Sequence, residues 1–143
     1  MADIDDDVRQ IRTIVGRQFG ALSWSTGKVG DWQTFAADFC DGATLFPAAR
    51  PLKPQSVNVF LARMKNLAGG ELCSLHEAIE RTHIKVFGNV AIAAVLCAMT
   101  ENENKHSQTV EMLLLVKDVG TWRIAAQAWD RVNDENPVQQ GLF

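Results

Sequence analysis

Apolar side chains recur at three- and four-residue intervals through the first half of the chain and at alternate positions through the second, so the pattern predicts helices followed by strands. Ile4, Val8, Ile11, Val15, Phe19 and Leu22 fall on one stripe of a first helix, with Asp3, Asp5, Asp6 and Asp7 in its opening turns where the helix dipole favours acids. Asp31 is placed to cap a short second helix whose apolar face is Trp32, Phe35, Ala36 and Phe39, and Asp41-Gly42 stops it. Ala43 to Phe46 reads as a short strand and Pro47 to Pro54 as a loop. Val57, Phe60, Leu61, Met64 and Leu67 then mark a third helix, ended by Gly69-Gly70.

From Leu75 onward the texture is extended and rich in β-branched residues. Four strands are expected, at Leu75 to Phe87, Val90 to Thr100, Gln108 to Lys117 and Trp122 to Val132. Gly88-Asn89 and Val119-Gly120 have the chemistry of two-residue hairpin turns, and Glu101 to Ser107 is a longer polar loop, so the strands form an antiparallel meander. The fold class is α+β, with one domain over residues 1–132 and a polar tail over 133–143.

Hairpin register assigns faces. A tight turn at Gly88-Asn89 puts Glu80, Thr82, Ile84 and Val86 on the same side as Ala91, Ala93, Val95, Cys97 and Met99. A tight turn at Val119-Gly120 groups Leu113, Leu115, Trp122, Ile124, Ala126 and Ala128, with Glu111, Thr109 and Asp130 at the far end. The reverse face carries Val110, Met112, Leu114 and Val116 against Arg123, Gln127, Trp129 and Arg131. That face is too apolar to stand in water, and a second copy of the chain is the simplest cover.

The chain's 143 residues suit a single domain, and its net charge of −3 without any basic run gives no reason to expect nucleic acid. The acidic N-terminus lacks the layout of a signal peptide and no run of ~20 apolar residues occurs, so no membrane association and a cytoplasmic location are expected. Cys40, Cys73 and Cys97 are widely spaced in apolar surroundings and are expected as buried thiols. His76 and His83, seven residues apart on one strand, face opposite ways, and His106 sits in a loop, so neither a metal site nor a cofactor is expected.

Three local patterns carry a resemblance over nearly the whole chain: Asp31-Trp32 with Phe35 and Phe39 leading into Asp41-Gly42-Ala43, Val86-Phe87-Gly88-Asn89-Val90-Ala91 at the first hairpin, and Gly120-Thr121-Trp122-Arg123-Ile124 opening the last strand. With this order of elements the chain resembles the nuclear transport factor 2-like superfamily, in particular its small SnoaL-like bacterial members. The resemblance implies a cone, in which a strongly curved antiparallel sheet wraps the helices around an apolar cavity, and dimerisation through the sheet. It implies no single activity, since members include isomerases, dehydratases, cyclases, epoxide hydrolases and assembly domains. Gln127, Ala128 and Trp129 stand where many relatives have a histidine, and the chain has no Tyr to polarise a carbonyl.

Paired carboxylates are the chemistry worth testing. Glu80, embedded in its strand, and Asp130, at the cavity mouth, are the candidate catalytic groups. Glu111 is a neighbouring acid, and Gln127 and Arg50 are orienting donors. Trp24 and Trp129 are candidates for the pocket or an interface, and Trp32 and Trp122 for the core. The leading functional reading is a homodimeric protein that binds an apolar or aromatic small molecule. The alternatives are a cofactor-independent lyase, isomerase or cyclase, and a protein assembly module.

Overall fold

The computed structural model describes residues 3–143. Helix α1 spans Ile4–Ala21, capped by the Asp3 carboxylate, which accepts from the backbone N–H groups of Asp5 and Asp6. Helix α2 (Trp32–Ala37) is capped by Asp31, and α3 (Val57–Ala68) by Ser56. The strands are β1 (Phe39–Phe46), the two-residue β2 (Gln55–Ser56), β3 (Leu75–Phe87), β4 (Val90–Glu101), β5 (Lys105–Asp118) and β6 (Thr121–Arg131).

They form one sheet in the order β2-β1-β6-β5-β4-β3, curled around the helices without closing. β3 to β6 are the expected meander, but β1 runs parallel to β6, so the sheet is mixed rather than antiparallel throughout. The long excursion through α3 explains this, because β1 is not joined to β6 by a hairpin and is free to enter the edge in either sense. The concave side holds the core, with Ile11, Val15 and Phe19 of α1 packed against Val95, Leu113, Leu115, Trp122 and Ile124.

Two β-bulges decide what faces that core. Arg81 is paired with Leu96 and Ile79 with Cys97, so Glu80 is an extra residue in β3. Likewise Leu114 is paired with Ala126 and Leu115 with Ile124, which leaves Ala125 as the extra residue in β6. Each bulge inverts the alternation beyond it. Residues 75–79 and 126–131 therefore present the opposite faces from those that strict alternation assigns. Gln127 and Trp129 turn inward, and Ala126, Ala128 and Asp130 turn outward.

The helix stripe is also less apolar than its spacing suggested, since Asp7 and Gln18 are as buried as their Ile and Phe neighbours. Asp7 accepts from Trp122 Nε1 at 2.9 Å and from Lys117 Nζ at 3.0 Å, which ties α1 to both strands of the last hairpin. Arg17 forks onto Asp38 at 2.9 and 2.8 Å and fixes α1 against the end of α2. Of the thiols, only Cys97 is fully buried; Cys40 is half-buried, and Cys73 is exposed in the turn before β3. No helix among the described residues is long and apolar enough to cross a membrane.

Candidate functional site

A cavity of about 270 Å³ opens between α1, α3 and the concave sheet. Its volume lies near the lower end of the ~300–1,000 Å³ range of small-molecule pockets. Phe19, Phe35, Phe60, Met64, Met99 and Trp129 make its apolar walls. Phe35 stacks on Phe60 with ring centroids 5.5 Å apart, and Phe60 meets Trp129 edge-on at 5.7 Å, so one wall is a continuous aromatic surface.

The inner end is polar. Gln127 Nε2 donates to Glu111 Oε1 at 2.6 Å, while Gln127 and Gln18 bond reciprocally through their amides at 2.7 and 3.0 Å. Gln18, Gln127 and Glu111 are all buried. Glu77 reaches the same place from β3: oxygens of Glu77 and Glu111 and the Cys97 sulfur all lie within 4.8 Å of one another. Thr109, two residues before Glu111 on the same face, lines the cavity with a buried hydroxyl that has no hydrogen-bond partner.

Two carboxyls this close in an apolar wall cannot both ionise cheaply. Burial pushes Glu111 up to about 7, against the opposing effect of the Gln127 hydrogen bond. Burial, together with the Glu111 charge, holds Glu77 well above the ordinary carboxylate range. The pair therefore titrates as a unit. Because Gln127 donates to Glu111, the single charge resides on Glu111 and the proton on Glu77. The Cys97 thiol is pushed up by burial and then by both acids, so it stays neutral. These three donors are close enough to hold a metal ion together, but a neutral thiol is a poor ligand and one shared proton already relieves the charge.

The positions expected from sequence divide sharply. Glu111, Gln127 and Trp129 all line this cavity. Glu80 does not: as the bulge residue it is exposed on the convex side, where its Oε1 accepts from Gln108 Nε2 at 2.7 Å. Asp130 is also exposed on the convex side, beyond the second bulge, and its carboxylate caps the Arg131 N–H. Trp24 belongs to the core, with its Nε1 committed to the Leu72 carbonyl at 2.7 Å; Trp32, expected in the core, is the half-buried one that packs on it. Arg50 turns back on its own loop, donating to the carbonyls of Pro47, Ala48 and Ala49, and lies outside the cavity that those three residues line.

Thr109 lines the cavity on the inward face that the hairpin register assigns to it, beside Glu111. Glu77 and Gln18 are not among the positions expected from sequence. Gln18 carries a signal, a polar residue four positions after Ile14 and three after Val15 on a core stripe. Glu77 carries none without knowledge of the bulge.

No family model and no curated protein matches the sequence. Solved structures do match over nearly the whole chain. A nuclear transport factor 2-like protein of unknown function from Pseudomonas putida KT2440 superposes with a TM-score of 0.72 at 14% identity, covering 100% of this chain and 99% of that one. A protein from Novosphingobium aromaticivorans provisionally assigned as a scytalone dehydratase gives 0.72 at 12% identity, covering 96% and 97%. An uncharacterised protein with a cystatin-like fold from Caulobacter vibrioides gives 0.70 at 14% identity, covering 91% and 92%. At these identities the likeness concerns the backbone, and the chain has the nuclear transport factor 2-like fold, the cystatin-like cone.

Proposed function

We propose that the cavity binds a small apolar or aromatic molecule and moves a proton on it without a cofactor, with Glu111 as base and Glu77 as acid. The observation that carries this reading is the buried Glu77–Glu111 pair, held at one charge and oriented by Gln127 at the end of an aromatic-walled pocket. A base poised near neutral pH beside a protonated acid suits two reactions. In an isomerisation, Glu111 takes a proton from carbon and a proton is returned elsewhere on the substrate. In a dehydration, Glu111 takes the Cα proton, the C=C bond forms, the C–O bond breaks, and Glu77 protonates the departing hydroxyl as water. The provisional dehydratase assignment of one structural neighbour agrees with the second.

The test is solvent-deuterium incorporation into a panel of cyclic ketones and β-hydroxy carbonyl compounds. Exchange that is lost in both Glu111→Gln and Glu77→Gln, and lost when Met64→Trp fills the cavity, supports the reading. Exchange that survives all three variants overturns it.

A second proposal concerns the convex face, where Ile92, Met112 and Leu114 lie exposed on adjacent strands, Ile92 directly opposite Leu114. We infer that two copies pair through this surface, since an apolar patch that meets its own copy needs no complementary partner.

A further inference from the structure

We propose that the Thr109 hydroxyl seats the oxygen that leaves the substrate, so that of the two reactions open to the acid pair the pocket is built for dehydration of a β-hydroxy carbonyl compound. This rests on Glu111 and Glu77 acting as base and acid, and adds the residue that holds the departing group.

Thr109 stands directly opposite Cys97 in the β4–β5 ladder and two residues before Glu111 on the same face of β5. The Cys97 sulfur in turn lies within 4.8 Å of oxygens of both Glu77 and Glu111. Thr109 therefore borders the acid pair at the inner end of the cavity, which it helps to line. It is 4% exposed, and its hydroxyl has no hydrogen-bond partner among the described residues. Its polar neighbours cannot supply one, because Gln18, Gln127 and Glu111 are engaged with one another. A buried hydroxyl is nearly always hydrogen-bonded in a folded protein, so one left open beside two carboxyls marks a place for a ligand atom.

The neighbours decide which atom that is. Glu111, bonded to Gln127, carries the charge, and Glu77 carries the proton. A substrate hydroxyl between Glu77 and Thr109 accepts from the Glu77 O–H and donates its own hydrogen to Thr109 Oγ1. A carbonyl oxygen has no hydrogen to give and would leave the Thr109 lone pairs empty in a buried site. The α carbon and a β-hydroxyl oxygen are two bonds apart, a span that carboxyl oxygens within 4.8 Å of each other can meet together.

The step then balances within the pocket. Glu111 takes the α proton, and the electron pair of the C–H bond forms the C=C bond. The C–O bond breaks, its pair leaves with the oxygen, and that oxygen takes the Glu77 proton and departs as water. Thr109 holds it by its remaining hydrogen throughout. Glu111 ends protonated and Glu77 ionised, so one proton passed from Glu111 to Glu77 restores the starting state.

Two ketones that differ by this hydroxyl test the proposal on the intact protein. Dehydration of 4-hydroxy-4-phenylbutan-2-one is followed by the absorbance of the conjugated product, and deuterium exchange at the α carbon of 4-phenylbutan-2-one reports the base alone. Thr109→Val is expected to slow dehydration at least about ten-fold more than it slows exchange, and Thr109→Ser, which keeps the hydroxyl, to restore dehydration to within a few-fold of the parent. A misplaced base or a loosened fold would slow both reactions alike. Equal losses on the two ketones, dehydration untouched by Thr109→Val, or a loss that Thr109→Ser does not repair overturns the proposal. So does a parent protein that exchanges the plain ketone but does not dehydrate the hydroxyketone; exchange that still depends on Glu111 then leaves the acid–base reading standing. Reaction of neither ketone overturns both.

Discussion

Gln127 Nε2 donates to Glu111 Oε1 at 2.6 Å, and this one contact decides which of two buried acids carries the charge. Burying that charge has a cost in stability whose sign is fixed, and the Gln127 bond offsets only part of it. Glu111 titrates near 7 in the folded chain against an ordinary 4.5, so the folded state binds more protons between those values and stability falls as pH rises through them. Below the ordinary value no cost is present, and above the folded value it is complete. Glu111→Gln keeps the shape and can still accept from Gln127. It is expected to match the parent chain's stability at pH 4 and to exceed it at pH 8 by about 2–3 kcal/mol, on the scale of ~1.4 kcal/mol per unit. Thermal melts of the two proteins across this range measure the difference. A variant that is stabilised yet inactive would place the acid pair on the functional side of the stability–activity balance.

The two bulges make a sharper prediction about which acids matter. Strict alternation puts Glu80 and Asp130 inside and leaves Glu77 outside; the structure reverses all three through one extra residue in each of β3 and β6. In the deuterium-exchange assay, Glu80→Gln and Asp130→Asn are expected to retain full rate. Glu77→Gln and Glu111→Gln are expected to lose at least about 100-fold, the scale of a general acid or base. Deleting Glu80 removes the extra residue while leaving Ile79 opposite Cys97 and Arg81 opposite Leu96, so Leu75 and Glu77 still face inward and that variant is expected to retain activity.

The same two residues explain how far the sequence could be read. Helix spacing, the cap at Asp31 and the Gly88-Asn89 turn are local signals, and they predict three helices, four long strands and their meander because each depends on neighbours within a few positions. Strand β1 is legible only from Ala43, because its first residues cross a register irregularity between Phe39 and Thr44. A bulge has no such local signature: Glu80 and Ala125 look like ordinary strand residues, and only the partner strand's register reveals that they are extra. Glu111 precedes any bulge on its own strand and was assigned to the inward side. Gln127 and Trp129, past a bulge, were assigned to the reverse face although their side chains line the cavity. The resemblance that suggested the cone could not have repaired this, since a fold shared at these low identities fixes no individual side chain.

Val119 gives a prediction independent of the site. It sits at φ +48 with Gly120 at φ +77 in the turn joining β5 to β6, and its side chain is 95% exposed. A β-branched residue in the left-handed region is strained and gains no packing in return. Asn tolerates this conformation far better, so Val119→Asn is expected to raise stability by about 1 kcal/mol without altering the pocket. Urea denaturation with an unchanged slope and a higher midpoint would confirm it.

Asp7 should govern the acid limb of stability. Its carboxylate is held below the ordinary range first by the Trp122 N–H and then by Lys117. Its contribution is therefore present above the ordinary value near 3.8 and is lost as pH falls through the lower folded value. Asp7→Asn is expected to melt several degrees lower than the parent at pH 7, because Lys117 loses its partner, and the gap should close as pH falls below the ordinary value of 3.8 and through the lower folded one. A gap that stays constant down to pH 2 would show that packing, not the charge, holds α1 to the last hairpin.

The proposed pairing through the convex face is decided by mass in solution. Ile92, Met112 and Leu114 are 54%, 48% and 46% exposed, and the chain's own tail supplies only Gly141 and Leu142 beside them. Phe143 is drawn to one side, its ring 5.3 Å from the Arg81 guanidinium, so the centre of the patch stays open. Light scattering on the parent chain is expected to give twice the monomer mass. Leu114→Lys, which buries two like charges near any two-fold contact, is expected to give the monomer mass. Because Leu114 points away from the cavity, the monomer should still bind ligand; a variant that stays dimeric would move the interface elsewhere, and a parent that is monomeric at micromolar concentration would remove it. Loss of binding on dissociation, with the fold intact by circular dichroism, would mean instead that the convex contact keeps the sheet curled tightly enough to hold Glu77 against Glu111.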